Sequence, residues 1–209
     1  EQEVFYEAWV PALYPFMDIP ALIVAILLAN MYLARKDSSK REELRPMSII
    51  IDSLRGSALS ALLLGLLLGL LTHPERVFEG FYDPLFRGFL SILMLTMGIE
   101  AWTRLHELRR VAQWYVVYSA AAPLVHGLIA FGLGTIAHYL TGFSPGGVVL
   151  LAVIAGSSSD ISGPPTLRGA IPSANPSAYI GSSTSIGTPV AIAIGIPLYI
   201  ALADAVFGL

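Results

Sequence analysis

The sequence contains no cysteine and few charged residues for its length. Of its 209 residues, 13% are Asp, Glu, Lys or Arg, whereas soluble domains carry about 25%. The absence of cysteine excludes disulfides and thiolate metal sites. The formal net charge of −3 is too small to indicate a nucleic-acid partner. The histidines show no tight ligand spacing, so they indicate no metal site: His73, His106, His126 and His138.

Long apolar segments take the place of the missing charge. The chain is 55% hydrophobic, and its mean hydropathy is +0.69. A membrane-spanning helix needs about 20 apolar residues. The sequence therefore predicts an all-α integral membrane protein with six transmembrane segments: 9–33, 49–72, 84–102, 112–140, 147–171 and 178–207.

The basic residues predict how these segments are oriented, because cytoplasmic loops are enriched in Lys and Arg. Only two of the 12 basic residues, Arg76 and Arg87, lie on one side of the alternating spans. The other side is therefore the cytoplasmic side, and both chain ends lie outside the cell. This assignment requires the fifth segment to cross the membrane fully. The basic residues on the cytoplasmic side are Arg35, Lys36, Lys40, Arg41, Arg45, Arg55, Arg104, Arg109, Arg110 and Arg168.

A weak internal similarity suggests a repeat. Residues 18–23 (DIPALI), in the first span, resemble residues 187–192 (GTPVAI), in the sixth. Many secondary transporters are built from inverted repeats. We therefore expect residues 1–34 to be the last span of a first repeat, 35–48 a cytoplasmic loop, and 49–209 a second five-span repeat with gate-type and core-type helices. The first four spans of the first repeat are then absent from this chain, which starts at Glu1 and is expected to be a piece of a longer protein.

The fifth segment is interrupted by GSSSDISGPP, residues 156–165. Gly156 is a natural place for a helix to end, and Ser162 resembles an N-cap followed by prolines in the first turn of a new helix. Unwound backbone at this depth in a membrane must be buried in protein or line a water-filled cavity. The sequence therefore predicts one discontinuous helix, broken around residues 156–165.

Such a break brings two helix ends together. The first end carries partial negative charge and the second partial positive charge, so the gap suits a cation on one side and an anion on the other. Asp160 supplies the one formal charge, and an ionised carboxylate in a membrane is stabilised by a cation beside it. Oxygen ligands suit sodium. Two alternatives stay open for Asp160: a structural carboxylate that caps a helix or pairs with an arginine, or a proton-carrying group.

Other polar residues are secondary candidates. Asp18 lies within the first span, where it would line the pathway or cap a proline-broken helix. Ser183 and Thr184, in the polar start of the sixth span, would supply a second cation ligand or ordinary hydrogen bonds between helices. Ser157, Asp160 and His126 do not make a convincing protease site, since no GxSxG motif is present. We therefore expect no enzyme and no cofactor, with sodium as a coupling ion.

Four stretches resemble the cyanobacterial sodium-dependent bicarbonate transporter family. They are YEAWVPALYPFMDIPAL, EGFYDPLFRGFLSILMLTMGIEAW, VAQWYVVYS and SSSDISGPPTLRGAIPSANPSAYIGSSTSIGTP. The resemblance covers nearly the whole chain and corresponds to about the C-terminal half of the family's polypeptide. The missing half would contain a second serine- and glycine-rich break facing this one. A complete site needs both breaks, so this half alone is not expected to transport.

The resemblance implies a ten-span protomer with gate and core domains that forms a homotrimer in the plasma (inner) membrane. It implies bicarbonate import with sodium as part of a carbon-concentrating mechanism. It also implies inhibition from the cytoplasmic side by a PII-like, nucleotide-sensing trimeric regulator, with the loops at residues 35–45 and 104–110 as contact regions.

The resemblance also implies the residues that bind the two ions. Sodium would lie at Asp160 with the hydroxyls of Ser159 and Ser162. The expected function is sodium-dependent bicarbonate symport by alternating access, and the rivals are a sodium/proton exchanger that uses Asp160, an anion channel and a structural membrane scaffold. The residues implied to bind bicarbonate are Ser158, Ser159, Asp160, Ile161, Ser162 and Gly163.

Overall fold

The structure is a computed structural model, and it describes residues 5–36, 57–108 and 113–208. These residues form helices and short connections, with no strand among them. The helices are α1 (Tyr14–Lys36), α2 (Ser57–Thr72), α3 (Asp83–Leu108), α4 (Gln113–Thr141), α5 (Pro145–Gly156), α6 (Gly163–Ala170), α7 (Pro176–Ser182) and α8 (Ile196–Phe207).

Four helical stretches within the described ranges are long and apolar enough to cross a membrane. They are Val10–Leu33, Glu75–Thr103, Trp114–Thr141 and Ala178–Phe207, and they match the first, third, fourth and sixth predicted segments. This confirms an all-α protein of the membrane type. The other two segments contain shorter apolar helices, Leu63–Thr72 and Pro145–Gly156, so the count of six spans stays a prediction.

The last span is not a regular α-helix. Between α7 and α8 the chain forms two π-helical stretches, Ser183–Gly187 and Ala191–Gly195, separated by a short α turn, Thr188–Val190. A π-helical stretch inserts an extra residue in a turn and often marks a functional site. Here the first stretch shifts the side chains that follow it toward the break between α5 and α6.

The main hydrophobic core lies between α4, α5 and α8. Its largest fully buried side chain is that of Tyr199, whose hydroxyl donates a hydrogen bond of 3.0 Å to the carbonyl of Pro123. Gly127 faces the same ring, and a Cβ there would overlap the phenol. The absence of a side chain at this glycine therefore lets α4 and α8 approach closely. The buried residues of this core are Val10, Phe131, Phe143, Val148, Ala152, Tyr199 and Ala203.

The segment before α1 is joined to the start of α5. Ser144, the N-cap of α5, accepts a hydrogen bond of 2.9 Å from the amide of Gly147. Its own amide and hydroxyl each donate a 2.8 Å hydrogen bond to the carboxylate of Glu7. Partial burial acts to raise the pKa of Glu7, but the hydrogen bonds from Ser144 outweigh it and hold the pKa below its usual value. Glu7 thus adds negative charge at the positive end of α5.

Two helices have largely open surfaces. Seven leucines of α2, between Leu63 and Leu71, are exposed, and α2 makes no extensive contact with another described element. The outer face of α3 is exposed in the same way, while its other face packs against α7 and the first π-helical stretch. The predicted loop 35–48 lies outside the described residues, apart from Arg35 and Lys36 at the end of α1. The repeat and domain boundaries likewise stay predictions.

Candidate functional site

The break predicted around residues 156–165 is present between α5 and α6. Helix α5 ends at Gly156, where a Cβ would lie 2.7 Å from the carbonyl oxygen of Pro123. The tight packing of α5 against α4 thus explains why glycine occupies the last position. Helix α6 starts at Gly163 and has Pro164 and Pro165 in its first turn, where a missing amide proton costs no helical hydrogen bond.

The unwound backbone keeps several amide groups without a partner. The amide of Asp160 donates to the carbonyl of Ser158, and that of Gly163 donates to the carbonyl of Ser159, each at 2.9 Å. Within the described part of the chain, the other amides of the break after residue 157 have no protein acceptor. Each backbone amide is a strong donor that binds an acceptor where one is present, so these amides are available to a ligand. They belong to Ser158, Ser159, Ile161 and Ser162.

Asp160 is half-buried and is held by the last span. Its carboxylate accepts a hydrogen bond of 3.1 Å from Thr184 and another from the hydroxyl of Thr188. The secondary candidate Thr184 is therefore brought to Asp160. Thr188 was missed by sequence reasoning, although it belongs to the polar run GSSTSIGTP and lies four residues after Thr184, a spacing that places both side chains on one face of a helix.

Asp18 reaches the break from α1. It is only 8% exposed, and it accepts a 2.6 Å hydrogen bond from the hydroxyl of Ser162. Ser162 in turn lies 2.5 Å from the hydroxyl of Ser159. Ser162 occupies the N-cap position of α6, but its side chain makes no capping bond there. Its predicted position is thus observed, while its hydroxyl points to a carboxylate that sequence reasoning ranked as secondary.

Among the described residues, two cavities flank the break. The first has a volume of about 240 Å³ and lies between the break, α4 and the π-helical stretch that starts at Ser183. We call it the serine cavity, after the six serines in its lining: Ser119, Ser157, Ser158, Ser159, Ser182 and Ser183.

The second cavity has a volume of about 210 Å³ and contains the charged groups. We call it the charged cavity. Asp160 and Ile161 face it from the break, Glu100 from α3, Arg168 from α6 and Thr184 from the last span. Glu100 and Arg168 were not among the predicted site residues, because only the tertiary structure brings α3 and the end of α6 to the break.

The predicted bicarbonate residues are thus distributed over both cavities. Ser158 and Ser159 line the serine cavity, and Asp160 and Ile161 line the charged cavity. The described residues contain no group of three or more His, Cys, Asp or Glu side chains that would hold a metal ion. Hydroxyl, carboxylate and backbone groups are therefore the available ligands at the break, and oxygen atoms of this kind suit hard cations.

Comparison with known proteins gives one family. The model of the Na+-dependent bicarbonate transporter superfamily matches residues 1–204, which is nearly the whole chain. Among curated proteins, no relative matches the chain.

Proposed function

Since the chain belongs to the sodium-dependent bicarbonate transporter superfamily, we propose that it forms part of a symporter that moves bicarbonate together with sodium by alternating access. The observation that carries this proposal is the pairing, within one break, of unpartnered amides with a carboxylate. Such a break offers donors to an anion and negative charge to a cation. The family assignment favours transport over enzymatic catalysis.

Bicarbonate would bind to the unpartnered amides. Those of Ser158, Ser159, Ile161 and Ser162 supply donors, and they precede the positive end of α6, which favours negative charge. The amide of Gly163 already donates to the carbonyl of Ser159. This glycine would therefore let bicarbonate approach the backbone closely, because it has no side chain, but it would not supply a donor. The proposed bicarbonate residues are Ser158, Ser159, Asp160, Ile161, Ser162 and Gly163.

Sodium would bind beside Asp160, whose charge is otherwise costly inside a membrane. The hydroxyls of Ser159 and Ser162, proposed as further ligands, are hydrogen-bonded toward Asp18 in this structure. They would have to turn toward Asp160 when sodium binds. Thr184 is already in contact with Asp160 and is a ready ligand.

The proposed assembly follows from the same family. We expect a homotrimer in the plasma (inner) membrane, completed by an earlier repeat of the same protein that supplies the second break. We expect a PII-like, nucleotide-sensing regulator to bind on the cytoplasmic side, at the loops 35–45 and 104–110. The exposed apolar surface of α2 supports packing against further protein or lipid.

The decisive experiment is uptake of labelled bicarbonate by the full-length protein in proteoliposomes, with and without sodium. The Asp160→Asn variant is expected to lose sodium-dependent uptake by at least tenfold, because the neutral amide cannot balance the cation. Asp204→Asn is the matched control, since Asp204 is an exposed residue of α8 outside both cavities.

Other outcomes would overturn the proposal. Sodium-dependent uptake that persists in Asp160→Asn would remove Asp160 from the mechanism. Sodium uptake that requires no bicarbonate and depends on pH would favour the sodium/proton exchanger. Bicarbonate flux that never saturates and never runs uphill would favour the channel.

A further inference from the structure

We propose that the serine cavity is a second site for a monovalent cation of the sodium class, separate from Asp160. This inference deepens the proposed function and rests on it for the role of the ion in coupling. The argument comes from the direction of each hydroxyl proton in the lining. A serine hydroxyl has one proton to donate and two lone pairs that accept.

Most of the serine protons are already committed to carbonyl groups. Ser119 donates to Tyr115 at 2.5 Å, and Ser157 donates to Ile154 at 2.7 Å. Each of these hydroxyls then offers only lone pairs to the cavity. The same holds for two more hydroxyls with longer bonds: Ser182 donates to Tyr179 at 3.1 Å, and Ser183 donates to Ile180 at 3.4 Å.

Asp18 sets the direction of the remaining hydrogen-bonded pair. Ser162 uses its single proton on the Asp18 carboxylate, so it can only accept from Ser159. The 2.5 Å contact between the two serines is therefore a bond donated by Ser159. Ser159 too is left with lone pairs toward the serine cavity, although Asp18 itself does not line it.

Backbone oxygens add to this acceptor surface. Pro123 has no amide proton, so the carbonyl of Ser119 lacks its usual helical donor. This carbonyl and the hydroxyl of Ser158 lie 3.6 Å and 3.0 Å from the point where a Cβ at Gly187 would stand. The α5 C-terminus, at Gly156, also faces the cavity with its partial negative charge.

This lining carries no carboxylate, and the committed hydroxyls present acceptors from several elements. Uncharged oxygen ligands of this kind replace the hydration shell of a monovalent hard cation. The hydroxyl of Ser158, which makes no hydrogen bond among the described residues, is free to turn a lone pair toward the ion. Tyr118 and His126, also in the lining, carry O–H and N–H donors that suit an accompanying anion rather than the cation.

Two substitutions change this surface without changing its charge. Gly187→Ala places a methyl group between the oxygens of Ser158 and Ser119, and Pro123→Ala restores an amide that ties up the Ser119 carbonyl. Gly98→Ala and Pro20→Ala are the matched controls. Gly98 has nothing within 4 Å of its Cβ position, and Pro20 is an exposed proline within α1.

The test is binding of radioactive sodium to the purified full-length protein in the absence of bicarbonate, with competition by lithium and potassium. We expect saturable binding that persists in Asp160→Asn. We expect Gly187→Ala and Pro123→Ala, each combined with Asp160→Asn, to weaken this remaining binding at least tenfold, while both controls in the same background stay within twofold. Melting temperatures and elution profiles identify any variant that misfolds, and the other cavity variant then decides.

The inference is overturned if both folded cavity variants bind sodium as Asp160→Asn does, or if Asp160→Asn alone abolishes all binding. Neither result contradicts the proposed function, provided that bicarbonate uptake still depends on sodium and on Asp160. Conversely, sodium binding that responds to the cavity variants, in a protein that takes up no bicarbonate, supports the cation site and defeats the proposed function.

Discussion

At the scale of single residues, the two carboxylates that meet at the break, buried Asp18 and half-buried Asp160, are held by hydroxyl groups. Asp160 accepts from Thr184 and Thr188, and Asp18 accepts from Ser162. Hydrogen bonds to a charged group are worth about 1.5–3 kcal/mol. These hydroxyls therefore stabilise charges that the membrane would otherwise disfavour.

Thr188→Val tests this role, because valine keeps the shape of threonine and removes the hydroxyl. The Asp160 carboxylate then loses one of its two observed donors. We expect the free energy of unfolding, measured by thermal unfolding in detergent, to fall by about 1–3 kcal/mol. We also expect the affinity for sodium to differ from that of the wild type.

The matched control is Thr141→Val. The hydroxyl of Thr141 is exposed and bonds only to the carbonyl of Ala137, one turn earlier. Its loss should change stability by no more than about 0.5 kcal/mol. An equal fall in the free energy of unfolding for the two variants would mean that the bond to Asp160 stabilises the protein no more than an exposed bond within a helix does.

At the scale of helices, the break depends on how closely α4, α5 and α8 pack. Pro123 provides a carbonyl for Tyr199, and its neighbour one turn later, Gly127, provides the space for the ring. Gly156 ends α5 against the same part of α4. Closely packed small residues are typical of helix contacts in membranes, and here they bring Ser119 of α4 to the break.

Gly127→Ala and Gly132→Ala form a matched pair on α4. A methyl group at Gly127 would overlap the Tyr199 phenol and force α8 away, so we expect a loss of about 1–3 kcal/mol or more. Gly132 has open space around its Cβ position. Alanine there should be neutral or stabilising by up to about 1 kcal/mol, because it favours the helix.

Thermal unfolding of the two variants in the same detergent is the measurement. Sodium binding should fall in Gly127→Ala alone, since only that variant displaces the last span. A Gly127→Ala protein as stable as Gly132→Ala would contradict the packing described for Tyr199.

At the scale of the whole molecule, the segment before the first span is joined to the start of the fifth. Glu7 accepts both bonds from Ser144, so residues more than 130 positions apart in the chain are connected at one surface. The contact lies outside the apolar span Val10–Leu33, where the carboxylate is accessible to changes of pH.

The pH dependence of unfolding tests this connection. The pKa of Glu7 is lower in the folded protein than the usual 4.5, so its contribution to stability is fully present above about pH 4.5. It is lost as the pH falls through the lower pKa of the folded state. We expect Glu7→Gln to remove part of this loss on acidification, seen in melting temperatures between pH 7 and about pH 3.

Glu79→Gln is the control, since Glu79 is an exposed carboxylate in the π-helical stretch Phe78–Tyr82, which precedes α3. It should leave the acid dependence as in the wild type. An unchanged dependence in Glu7→Gln would mean that the contact with Ser144 does not stabilise the fold.

The described residues confirm much of the predicted architecture. Long apolar runs specify helices almost regardless of their neighbours, because a membrane leaves no partner for backbone groups except within a helix. The break between Gly156 and Gly163 was predictable for a similar reason, since glycine, serine and two prolines interrupt helical hydrogen bonding locally. The position of Asp160 within that break followed from sequence spacing alone.

The sequence by itself therefore determined the helices, the break and the family, because these depend on local composition and short-range hydrogen bonding. Only the tertiary structure decided the partners of the break. It joined Asp18 to Ser162, brought Thr184 and Thr188 to Asp160, and separated the polar groups into two cavities. These contacts connect positions up to 144 residues apart, and their geometry depends on how whole helices pack, which no short pattern of residues specifies.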